Sequence, residues 1–162
     1  MREDRLYNSP LPNRNVIVSI EQYRRVSQLV TQFHDRVEDI GQFQPLDAGD
    51  MATPFRQLLH HQRHMTTALR RHFDSPLTVD VLATVQEPSR YQREILLRRM
   101  TDGITVEYGL LNADLSRLPK ALCDALETGK YPFGQVIVDQ GWNTSVAVDQ
   151  LWRIDIGPAL AT

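Results

Sequence analysis

The arginine that the sequence places inside a strand is Arg93, in the stretch Pro88–Leu97 (PSRYQREILL). Tyr91, Ile95 and Leu97 occupy odd positions, which is the period of a half-buried strand, and that parity puts Arg93 on the same inward face. A buried arginine is almost always paired, and its planar guanidinium fits a carboxylate through two parallel hydrogen bonds. Arg93 is therefore either half of a structural ion pair or a receptor for an anionic ligand. Glu94 and Arg98 fall on the other face and read as solvated charges; a one-residue slip of register would reverse the assignment.

The histidines of HHQRH are the second candidate. His60 and His64 lie four apart and would share a helix face, as paired metal ligands do. No glutamate stands between them, no third ligand is near, and both fall off the apolar stripe. They read as a solvated polar face, and no metal is expected. Cys123 is the single cysteine, so no internal bridge can form; among Leu122, Ala125 and Leu126 it reads as a small buried hydrophobe in a reducing compartment.

The surrounding pattern supplies the elements that would hold these groups. Residues 1–17, with Pro10 and Pro12, read as an irregular tail, and residues 18–162 as one domain. Ser19 and Gln22 form a capping box ahead of Tyr23, Val26, Val30, Phe33, Val37 and Ile40, an amphipathic helix running to Gly41. A linker with Pro45, Gly49 and Pro54 follows. Phe55, Leu58, Leu59, Met65, Leu69 and Phe73 then mark a helical region broken near His64, with Thr66 or Thr67 as the second cap.

From Pro76 the period becomes two, through Leu77, Val79, Val81 and Ala83, and Glu87-Pro88 turns the chain into the Arg93 strand. Asp102-Gly103 is a hairpin signal leading to a third strand over Ile104–Leu111. Ser116 opens a helix with a Leu118, Leu122, Ala125, Leu126 stripe, closed by Gly129. Val136–Val138 is a short apolar run, and Val146–Ile156 a last strand region. The class is α+β, with helices over one face of an antiparallel sheet.

Composition narrows the function classes. The 162 residues are 41% hydrophobic and 23% charged with a net charge of −2, which suits a globular domain and argues against nucleic-acid binding by phosphate neutralisation. No apolar run approaches the roughly 20 residues that cross a bilayer, and the N-terminus is polar, so no membrane association and a cytoplasmic location are expected.

Three blocks in order resemble the chorismate pyruvate-lyase family, the 4-hydroxybenzoate synthases, and particularly its divergent bacterial branch. LLHHQRHMTTALRRHFDSPLTVDVL is similar to the family's short helix, Ser-Met-Thr-like turn, second helix and first strand. SRYQREILL looks like its Ser-Arg-Tyr strand with Arg-Glu and an aliphatic run, and ALETGKYPFGQVIV like its Pro-Leu-Gly segment after a helix. Together they span residues 55–140. The resemblance implies a twisted antiparallel sheet flanked by helices around a small buried cavity for an aromatic carboxylate. It also implies elimination of pyruvate from chorismate with neither metal nor organic cofactor.

Carried over by position, Arg93 matches the family arginine that pairs with the ring carboxylate. Met65 matches the residue whose backbone contacts that carboxylate, and Phe133 the leucine whose backbone faces the ligand. The partner implied is a small aromatic or cyclohexadiene carboxylate. The family's glutamate, which meets the phenolic oxygen from a final strand, has no counterpart: its spacing from Phe133 runs past Thr162. Asp149 and Asp155 in the closing segment, or Glu107 in VEYGLL, are the carboxylates left. Asp155, two residues after Arg153, reads as half of a surface ion pair. Two functions stand: a lyase with Arg93 and Glu107 as its catalytic pair, or a non-catalytic receptor on the same scaffold.

Overall fold

The computed structural model describes residues 20–161, so the tail and the Ser19 cap lie outside the described residues. Helices α1 (Ile20–Val30) and α2 (Val37–Ile40) precede strand β1 (Gly41–Leu46), and helices α3 (Thr53–Leu59) and α4 (Met65–Phe73) precede the strands β2 (Leu77–Glu87), β3 (Arg90–Arg99) and β4 (Thr105–Asp114). Helices α5 (Lys120–Glu127) and α6 (Phe133–Asp139) and strand β5 (Leu151–Ile156) complete the chain. The class is α+β: a three-stranded antiparallel sheet in the order β2-β3-β4, a two-stranded antiparallel sheet β1-β5, and flanking helices.

The meander forms where the period-two pattern places it. Its β3–β4 hairpin closes on Asp102, which accepts hydrogen bonds from the Arg99 guanidinium and the Ile104 amide, and on Gly103, whose φ of 73° few other residues adopt. Pairing sets Arg93 opposite Leu111, Ile95 opposite Gly109 and Leu97 opposite Glu107, so these side chains share one face. Helices α3 to α6 cover that face: Leu69, Ile95 and Leu97 pack with Leu58, Met65 and Phe73, while Tyr91, Ala113 and Leu126 pack with Leu111, Leu118 and Phe133. In β2 a bulge at Leu82 breaks the alternation, so Val81 opposes Ile95 but Ala83 opposes Glu94 on the other face.

That other face is covered too. The expected long helix ends at Val30, and α2 resumes at Val37; Val30, Val37 and Ile40 still meet, against Phe43, Tyr108 and Leu110. The break turns His34 inward. Its Nε2 lies 2.9 Å from Glu94 Oε1 and 3.1 Å from the Tyr108 hydroxyl, which itself donates to Glu94 at 2.8 Å. Glu94 is therefore buried (9% exposed), not the solvated charge its parity suggests, whereas Arg98 stays half-exposed and pairs with Asp80 at 2.6 Å. Burial pushes the Tyr108 phenol well above its ordinary value, with Glu94 adding to the shift.

Four further elements differ from the sequence pattern. The stretch around Pro45 is strand β1, paired with β5 in register from Gly41–Ile156 to Leu46–Leu151. A two-stranded sheet leaves each strand an open edge, where a residue without an N–H is tolerated. Helix α4 begins at Met65, with His64 as the N-cap whose carbonyl accepts from Thr67 and Ala68, ahead of the expected threonine cap. Leu115–Arg117 is a separate 3-10 turn, because Pro119 holds Leu118 extended and α5 starts only after it; Gly129 closes that helix as expected. The apolar run Val136–Val138 is helical, within α6.

Candidate functional site

Between the sheet and the N-terminal ends of α4 and α6 lies a cavity of about 210 Å³. Arg93 and Glu107 contribute to its wall from the strands, His64, Met65 and Thr66 from the start of α4, and Pro132, Phe133 and Gly134 from the start of α6. The two helix starts can meet because Gly134 has no side chain: a Cβ there would stand 3.0 Å from His64 Cβ and from Thr66 Oγ1. Gly109 has the same effect on the sheet side, where a Cβ would lie 3.2 Å from both Glu107 Oε1 and Ile95 Cγ1. Two missing side chains thus shape the space between the charged groups.

Arg93 has no surface open to solvent (0% exposed). Its Nη2 donates to the Tyr131 carbonyl at 3.2 Å, and its Nε and Nη1 are buried with no partner. Burial pulls the guanidinium below its ordinary value, with the nearby Tyr91 phenol opposing the shift, and the side chain nevertheless remains a cation. Of the two sequence readings of Arg93, the structural ion pair fails, since no carboxylate lies within ion-pair distance among the described residues.

Glu107 is mostly buried, and its Oε2 atom also has no partner. Desolvation alone raises its carboxyl from 4.5 to about 7, so near neutrality a substantial fraction carries a proton. Arg93 and Glu107 sit four strand positions apart on one face, about 13 Å at the backbone. Their side chains therefore enter the cavity from opposite ends, with the Ile95–Gly109 pair between them.

The cavity unites the four residues expected to act: Met65, Arg93, Glu107 and Phe133. The other carboxylates stay outside it. Asp155 is exposed, 3.6 Å from Arg153 as its spacing suggests, and accepts from Gln44; Asp149 pairs with Arg25 at 3.3 Å. His64, expected on a solvated face, instead lines the cavity, with its Nε2 2.7 Å from Thr144 Oγ1. Its position one residue before the Met65 helix start was the available signal, and helical parity hid it because the helix begins only after it. Among the described residues no group of three His, Cys, Asp or Glu is gathered to hold a metal ion, and no helix is long and apolar enough to cross a membrane.

Comparisons with known protein families, with curated proteins and with solved structures find no match.

Proposed function

We propose that the chain is a chorismate pyruvate-lyase-like enzyme of the cytoplasm that converts chorismate to 4-hydroxybenzoate and pyruvate. The observation that carries this reading is a buried guanidinium and a buried, partly protonated carboxyl, each with polar atoms left without a partner, at opposite ends of one ring-sized cavity. Leaving such groups unpaired costs about 1–3 kcal/mol each, more for a charge, and a ligand with a carboxylate at one end and a hydroxyl or ether oxygen at the other removes both penalties. The cavity lies below the roughly 300 Å³ at which drug-sized pockets begin, which suits a single ring.

Arg93 takes the ring carboxylate at Nη1 or at Nε, the two positions free to donate. Since the guanidinium is sealed, the anion reaches it by displacing a wall side chain, and Met65, unbranched with three rotatable bonds, yields most easily. The ring then points its C3 and C4 positions at Glu107. In chorismate the C4 hydrogen and the C3 ether oxygen lie on the same ring face, so one carboxyl can serve both. Protonated Glu107 gives its proton to the ether oxygen as the C3–O bond breaks. The C4–H electrons form the third ring double bond, and the C4 proton returns to Glu107. Enolpyruvate leaves and tautomerises to pyruvate. Aromatisation drives the reaction, and the protein contributes orientation, water exclusion and the acid.

The substrate is a dianion, and its enolpyruvyl carboxylate needs a second receptor. Besides Arg93 and Glu107, His64 is the remaining ionisable residue in the cavity wall. It sits at the positive end of α4, and its Nε2 exchanges Thr144 for the carboxylate.

The test is incubation of the purified protein with chorismate, following 4-hydroxybenzoate and pyruvate by chromatography, with Arg93→Ala as control. Both products should appear in equal amounts and disappear in the variant. Absence of turnover with tight 4-hydroxybenzoate binding would make the domain a receptor; absence of both would remove the proposal.

A further inference from the structure

A second concave surface lies on the outer side of the α3–α4 helix pair, away from Arg93 and Glu107. It is a groove of about 750 Å³ lined by Gln57 and Leu58 of α3, His61, Gln62 and Arg63 of the connection, and Ala68, Arg71 and His72 of α4. Positions 68, 71 and 72 share one helix face, and Ala68 opens the floor. No residue of this lining is a carboxylate. The whole stretch between Met51 and Phe73 carries four arginines and four histidines and no Asp or Glu, in a chain whose net charge is −2.

Six other surface arginines pair with a carboxylate, whereas the groove's two, like Arg56 and Arg117, do not among the described residues. Arg24, Arg25, Arg36, Arg98, Arg99 and Arg153 each meet a carboxylate. Arg63 and Arg71 have no side-chain partner among the described residues. His61 holds the connection in place. Its Nδ1 accepts the Arg63 amide N–H at 3.1 Å, which leaves the ring hydrogen on Nε2, and that atom is buried with no acceptor. Two guanidinium forks and two glutamine amides are donors of the kind that tetrahedral oxyanions take, and Leu58 and Ala68 offer an apolar strip beside them.

The geometry points to a binding site for a small organic phosphate, of nucleotide size, in the α3–α4 groove. The volume falls in the range of small-molecule pockets, and a guanidinium pair matches a phosphate bidentately where lysines would not. The site is independent of the lyase reading, since none of its side chains lines the other cavity.

Titration calorimetry with AMP, inorganic phosphate and adenosine tests it, on the wild type and on Arg63→Ala/Arg71→Ala. Arg56→Ala/Arg117→Ala removes the same charge outside the groove and serves as control. AMP and phosphate should bind the wild type and the control alike, weaken at least tenfold in Arg63→Ala/Arg71→Ala, and leave adenosine unbound. All four replaced side chains are exposed, so equal melting temperatures establish the fold. No anion binding by the wild type, equal weakening in the control, or adenosine binding as well as AMP would overturn the proposal. A single-stranded RNA that binds more tightly than AMP would overturn the small-molecule assignment.

Discussion

Replacing Glu107 by Gln should stabilise the fold at alkaline pH while ending turnover. The wild-type carboxyl titrates at about 7 when folded and at 4.5 in its ordinary setting. Between those values the folded state binds more protons than the unfolded chain, so stability falls as pH rises from 4.5 to about 7 and stays reduced above it. At about 1.4 kcal/mol per pH unit, the gap amounts to roughly 3 kcal/mol of lost stability. Glutamine keeps the shape and removes the titration. Urea unfolding of wild type and Glu107→Gln at pH 5 and pH 8 reads this directly: the variant's advantage should grow by about 2 to 3 kcal/mol between the two. A constant difference would mean that the carboxyl is hydrated alike in both states, and the argument for a proton-bearing acid would fail. On the functional side, kcat/KM of the wild type for chorismate should fall as pH rises through about 7, because the free enzyme then loses the proton it must donate.

His64→Gln should raise KM for chorismate about tenfold or more, the loss of one charge-assisted contact, while leaving the affinity for the monoanion 4-hydroxybenzoate unchanged; equal loss for both ligands would place His64 in a packing role. Gly109→Ala should abolish 4-hydroxybenzoate binding in calorimetry, because its methyl group would press on Glu107 and Ile95 from 3.2 Å and narrow the space between the two charged ends; unchanged affinity would place the ligand elsewhere. Tyr108→Phe should lower stability in urea by about 1–2 kcal/mol without changing ligand affinity, since it removes one donor from buried Glu94 on the opposite face.

Much of the architecture was legible because it follows from short-range rules. The meander from Leu77 to Asp114 follows from strand periodicity and an Asp-Gly turn, and the inward parity of Arg93 from the side-chain alternation of a single strand. The excess of cations between Met51 and Phe73 is equally a property of the chain alone. What lay beyond the pattern depends on which elements meet. A strand buried on both faces no longer separates polar from apolar positions, so Glu94 looks solvated until His34 from a distant segment and Tyr108 from the neighbouring strand meet it. The helix expected to continue past Val30 ends there, and the turn that follows brings His34 to Glu94. Glu107 carries no motif; its raised pKa comes from desolvation, which exists only once α4 and α6 close over β4. That closure depends on two glycines whose missing side chains matter only across a tertiary contact. Sequence order places an arginine on a face, and packing alone determines that, among the described residues, no carboxylate comes to meet it.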